Sequence, residues 1–174
     1  MVVVGLLLVA CQVLLGVVFA VSAFTKLRSG AAVRSFAASL VMLPEGLRLP
    51  AACAVAAGEA VAAALMVVPR AGLALSAILL AGFTLAIVVS IRKGVRAPCR
   101  CFGLSATPLG RVHLVRNALL LLVVALGGTG LIYSGGPPAA AGLAVAVPAG
   151  LAGAIMLIAF DDIAGLFMQT PGSV

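Results

Sequence analysis

Residues 2–28, VVVGLLLVACQVLLGVVFAVSAFTKLR, decide the fold: no charge interrupts the run until Lys26 and Arg28. At 1.5 Å per residue, about 20 helical residues cross roughly 30 Å of hydrocarbon, so residues 2–24 read as a first membrane span. The span must be helical, because backbone exposed to lipid has to satisfy its own hydrogen bonds. The alternating pattern of a barrel strand is absent. A secretory signal would open with a basic segment and a shorter apolar core, whereas this chain opens Met1-Val2-Val3-Val4, so a retained helix is expected. Lys26 and Arg28 are expected to snorkel to the interface.

Working outward, the same kind of block recurs. Further spans are expected at about 49–68, 73–91, 112–133 and 139–160, separated by polar or Gly/Pro-rich breaks. The predicted class is an all-α integral membrane protein, a bundle of four to five transmembrane helices forming one domain over 1–174. The whole composition agrees, with 64% hydrophobic and only 9% charged residues among 174 and a mean hydropathy of +1.35. Between the first two spans, Arg34 to Met42 reads as a short amphipathic helix lying on the membrane and stopping before Pro44. Pro69-Arg70-Ala71-Gly72 reads as a tight turn that makes spans two and three antiparallel neighbours. Asp161 and Asp162 are read as closing the fifth span. That span is rich in Gly and Ala, a composition that permits close helix approach.

The net charge of +7 does not point to nucleic acid, since the cations sit at helix ends rather than along one face. With five alternating spans, the connections after spans one and three fall on one side. They carry Lys26, Arg28, Arg34, Arg48, Arg92, Lys93, Arg96, Arg100, Arg111 and Arg116, against Arg70 alone opposite. The positive-inside rule then predicts an outside N-terminus and a cytoplasmic C-terminus, with the cations facing anionic head groups of the lipid bilayer.

Two polar features stand inside this apolar frame. Glu59 lies near the middle of span two, where a carboxylate costs about 2.5–3.5 kcal/mol, so it should face the bundle interior with a partner or bind a proton. His113, Arg116 and Asn117 open span four at spacings of three and four, which put them on one face.

Between spans three and four lies Pro98-Cys99-Arg100-Cys101-Phe102-Gly103. Cys11 and Cys53 sit within apolar spans and read as small hydrophobes. Cys99 and Cys101, by contrast, are flanked by Arg96, Arg100 and Arg111, and positive charge favours the reactive thiolate. In extended backbone, residues two apart have Cα atoms about 6.6–6.8 Å apart, at the upper edge of the bridging range, so a disulfide here would be strained and exchangeable. Structural zinc needs four ligands, and only His113 is near in sequence. An inert pair is the bland alternative.

Phe24-Thr25-Lys26-Leu27, Gly58-Glu59, the Cys-x-Cys-Phe-Gly run and Arg116-Asn117 together resemble the methylamine-utilisation MauE family, related to the DoxX-like membrane proteins. The resemblance implies a redox-associated helical bundle working with a thioredoxin-fold partner in the maturation of disulfide-containing exported proteins. It implies that Cys99 and Cys101 are the family's cysteine pair. Arg100 stands where a small residue such as Gly is more usual.

The leading reading is a membrane thiol–disulfide redox protein of a bacterial inner or plasma membrane. Cys99 and Cys101 would exchange electrons, and Glu59 and His113 would handle protons. Arg100, Arg111, Arg116 and Asn117 would contact a lipid head group or a quinone, although no motif requires a quinone. The second reading is a non-catalytic subunit that docks a larger membrane complex, with the cysteines as a clip. A small transporter using Glu59 is the third. A disulfide-forming site belongs on an oxidising face, yet the charge count puts this loop at the cytoplasmic boundary.

Overall fold

A computed structural model of the chain describes residues 2–94, 111–133 and 140–168. In order, the elements are α1 (Val2–Leu27), α2 (Gly30–Ser39), α3 (Glu45–Ala64) continued by a 3-10 turn (Leu65–Val67), α4 (Pro69–Arg92), α5 (Arg111–Tyr133) and α6 (Ala140–Met168). The described residues contain no strand. Five of the helices, all but α2, are long and apolar enough to cross a membrane.

The helix boundaries follow local chemistry. Ser29 caps α2, its hydroxyl accepting from the Ala32 N–H at 3.1 Å. The amphipathic segment expected at 34–42 is therefore a helix shifted a few residues earlier. Glu45 opens α3 with a negative charge in its first turn, where the helix dipole favours it. The turn expected at 69–72 lies instead in the 3-10 segment Leu65–Val67, and α4 starts at Pro69. Pro69 suits the first helical position, which has no N–H partner to lose. Gly72, already helical, packs so tightly on the 3-10 turn that a Cβ there would sit 2.7 Å from the Leu65 carbonyl oxygen. At the far end Gly94 takes φ +65, and the Lys93 and Gly94 N–H groups bond the Val89 and Ile91 carbonyls at 3.0 and 3.1 Å. The last helix does not close at Asp161 and Asp162 but runs on to Met168.

Tertiary contacts fix the directions. Gln12 donates to the Met66 carbonyl at 2.6 Å and Lys26 pairs with Glu59, so α1 and α3 are antiparallel. Gly127 meets Leu73 and Asn117 bonds the Leu80 carbonyl, so α4 and α5 are antiparallel as well. Gly142, Gly150 and Gly153 of α6 face Leu6, Ala10 with Val13, and Leu14 of α1. Position numbers rise together there, so α6 runs parallel to α1. Small residues let these two helices approach, as the Gly/Ala-rich composition permitted.

Helix α1 is the hub, packed against α3, α5 and α6. Its Leu15, Val18 and Phe19 form the core with Ala62, Met66, Leu73, Leu80, Leu120, Ala154 and Leu157. The outside stays apolar, with Val3, Ile78, Leu85, Ile132, Val145 and Ile155 well exposed, as a surface solvated by lipid should be. The alternation brings the end of α1, α2, the start of α3, the end of α4 and the start of α5 to one end of the bundle. The described cations gather there, while Arg70 stands at the other end.

Candidate functional site

At the basic end α1 and α3 bring a buried ion pair together. Ser22 and Lys26 are four residues apart and share one face of α1, which turns toward Glu59 of α3. Lys26 Nζ lies 2.8 Å from both carboxylate oxygens, and Ser22 Oγ donates to Glu59 Oε1 at 2.9 Å while accepting from Lys26 at 2.6 Å. Both charged side chains are 1% exposed. The expectation that Lys26 snorkels to the interface is thus overturned. Helix α2 folds over the end of α1 and sets the Phe36 ring 5.0 Å from the ammonium, adding a cation–π contact. Arg28, two residues further on, is exposed as expected.

The partner that Glu59 needed is therefore Lys26, and its placement follows from cost. A lone carboxylate inside the bundle is expensive, and a cation held by additional hydrogen bonds offsets the desolvation. Sequence reading missed Ser22 and Lys26 as site residues. The signal was present in the i, i+4 spacing of a hydroxyl and an ammonium on the helix that must pack on Glu59.

Helix α5 supplies the second half of the site. His113, Arg116 and Asn117 are all buried, at 2%, 4% and 3% exposure, on the one face their spacing predicted. Asn117 Nδ2 donates to the Leu80 carbonyl at 2.8 Å and to Thr84 Oγ1 at 2.7 Å. Thr84 in turn donates to that same carbonyl at 2.7 Å. This fork ties α5 to α4 and fixes the amide. Thr84 was not anticipated from the sequence.

Between the halves lies a cavity of about 30 Å³, bordered by Ser22, Glu59, Arg116 and Asn117 and otherwise by apolar side chains including Phe19, Phe83 and Ile87. Glu59 from α3 and Arg116 from α5 thus border one space, which the sequence could not show. A space of about 30 Å³ has room for a water molecule.

Cys99, Arg100 and Cys101 lie outside the described residues. Arg111 begins α5, and its side chain also lies outside them. The connection that carries the cysteines leaves from Gly94 and rejoins at Arg111, both at the basic end.

A bundle of five membrane-crossing helices with an ion pair sealed in its interior is a multi-pass membrane protein. The chain belongs to the family of the methylamine utilisation protein MauE, whose family model matches residues 4–133. That match spans the chain from early α1 to the end of α5, and so includes the ion pair, the α5 face and the cysteine run. Membership associates this membrane protein with methylamine utilisation. Neither curated proteins nor solved structures give a match.

Proposed function

We propose that the chain is a thiol–disulfide redox protein of the cell membrane. In this reading Cys99 and Cys101 relay electrons to or from a thioredoxin-fold partner during maturation of disulfide-containing exported proteins. The observation that carries it is the placing of two thiols, one residue apart among arginines, in the connection that leads into α5. That helix buries His113, Arg116 and Asn117 in its first two turns. Neighbouring cations favour the thiolate, which is the attacking species in exchange. Membership of the MauE family supports an association with methylamine utilisation, and the exported disulfide-containing client is what the resemblance implies.

The residues divide the work. One thiolate attacks the partner's disulfide or is attacked in turn, and the second resolves the mixed disulfide. Glu59 and His113 handle the protons that thiols release on ionising. Arg100 and Arg111 supply positive charge, and Arg116 with Asn117 defines the inner wall of the site.

Differential alkylation tests the reading. Adding a reduced, and separately an oxidised, thioredoxin-fold protein to the purified chain in lipid should convert Cys99 and Cys101 together between alkylatable and protected forms. A pair that stays disulfide-bonded throughout would instead make it a structural clip in a non-catalytic subunit.

A further inference from the structure

The amide of Asn117 can be oriented from its neighbours. Its Nδ2 lies 2.8 Å from the Leu80 carbonyl oxygen and 2.7 Å from Thr84 Oγ1. A carbonyl oxygen only accepts, and Thr84 commits its one hydroxyl hydrogen to that same carbonyl at 2.7 Å. Both positions therefore require the NH₂ group, and its two hydrogens are then used. The amide oxygen is left over. Among the described residues no group donates to Asn117 Oδ1, although the side chain is buried and borders the cavity. A buried acceptor without a donor is costly, so this oxygen calls for one.

Glu59 stands on the wall of the same cavity, and a carboxylate is likewise an acceptor only. Two acceptors facing one space cannot bond each other. A species with two hydrogens can join them. A single water fits in about 10–15 Å³ and needs two to four polar partners, and the cavity provides about 30 Å³. An ammonium group would also carry hydrogens, but it would add a positive charge beside Lys26 and Arg116. We propose that the cavity is a binding site for an ordered water that donates one hydrogen to Asn117 Oδ1 and the other to the Glu59 carboxylate. Arg116, on the same wall, carries N–H groups of the kind that the water's lone pairs accept.

The bound water completes a polar chain through four helices. It runs from Lys26 and Ser22 of α1 to Glu59 of α3, across the water to Asn117 of α5, and on to Thr84 and the Leu80 carbonyl of α4. The ion pair and the α5–α4 fork are thereby one network, with the water as the link between them. Apolar Phe19, Phe83 and Ile87 close the rest of the wall, and hydrogen bonds in so dry a setting are strengthened. Water is neutral, so Glu59 stays a carboxylate and Lys26 keeps its counter-charge. The site is independent of the thiol chemistry.

Crystals of the full chain grown from a lipid mesophase, diffracting well enough to show ordered water, test this. The expected result is a single peak within about 2.5–3.0 Å of both Asn117 Oδ1 and a Glu59 oxygen, lost in Asn117→Leu. No peak, a peak touching only one of the two groups, density larger than water, or a peak that survives in Asn117→Leu would overturn the inference. Thermal unfolding in detergent gives a second reading. The Lys26→Met/Glu59→Leu background has no carboxylate to bridge and leaves neither partner of the pair uncompensated. Asn117→Leu should lower the midpoint less in that background than in the native chain, and equal losses in the two would also overturn the proposal.

Discussion

At the scale of residues, Lys26 is the residue whose behaviour departs most from a surface cation. It ends a membrane span, where lysines ordinarily reach for water, yet Ser22, Glu59 and Phe36 enclose it. Removing one member of a buried pair leaves an uncompensated charge and costs about 3–5 kcal/mol, whereas replacing both with apolar groups costs far less. Lys26→Met should therefore destabilise the chain by about that amount in reversible unfolding from detergent. Lys26→Met combined with Glu59→Leu should lose less than Lys26→Met alone. A double-mutant cycle with additive losses would show that the two side chains are not coupled. Asn117 offers a smaller test. Asn117→Ala removes two hydrogen bonds to α4 and should cost about 1–2 kcal/mol in the same assay.

Among the elements, α6 owes its place to missing side chains. A Cβ on Gly150 would stand 2.6 Å from the Ala10 carbonyl oxygen and 2.9 Å from Val13 Cβ, so no residue larger than glycine fits without moving α1. Gly150→Leu should lower stability by about 1–3 kcal/mol or more, read as a lower midpoint in thermal unfolding. Gly128→Ala, which meets nothing within 4 Å, should leave the midpoint in place. Element-scale structure was also the most legible part of the sequence. Hydropathy and length located all five spans, since lipid permits few alternatives to a helix of about 20 residues. Errors gathered at the ends. Pro69 fits a turn but is equally a good first helical residue, and Asp161-Asp162 suggests a stop although charges near a bilayer surface need not end a helix. Glu59 and the α5 face were legible as interior polar groups. The i, i+4 spacing of Ser22 and Lys26 hints at the partner, but a lysine at the end of a span fits snorkelling equally well, and only the fold of α2 over the end of α1 decides between them.

For the whole molecule, topology collects the cations at one end. The helix directions put Arg28, Arg34, Arg48, Arg92 and Lys93 at the end where the ion pair lies, with Arg70 opposite. The positive-inside rule then predicts that this end faces the cytoplasm. In intact cells, single-cysteine variants at 99 and 101 should resist a membrane-impermeant thiol reagent until the membrane is permeabilised. Labelling of intact cells would place the pair on the outer, oxidising face instead. The two outcomes assign different electron donors to the same chemistry, since cytoplasmic thiols are kept reduced and exported ones are oxidised. Either side is compatible with the central claim that Cys99 and Cys101 act as one exchanging pair. The most direct measurement is the stoichiometry of electron transfer from the reduced chain to an oxidised thioredoxin-fold protein, counted as partner disulfides reduced per chain. The account predicts about one for the native chain, as a two-electron exchange requires, and none released as free partner dithiol for Cys99→Ser or Cys101→Ser. Unchanged transfer in both variants would contradict it.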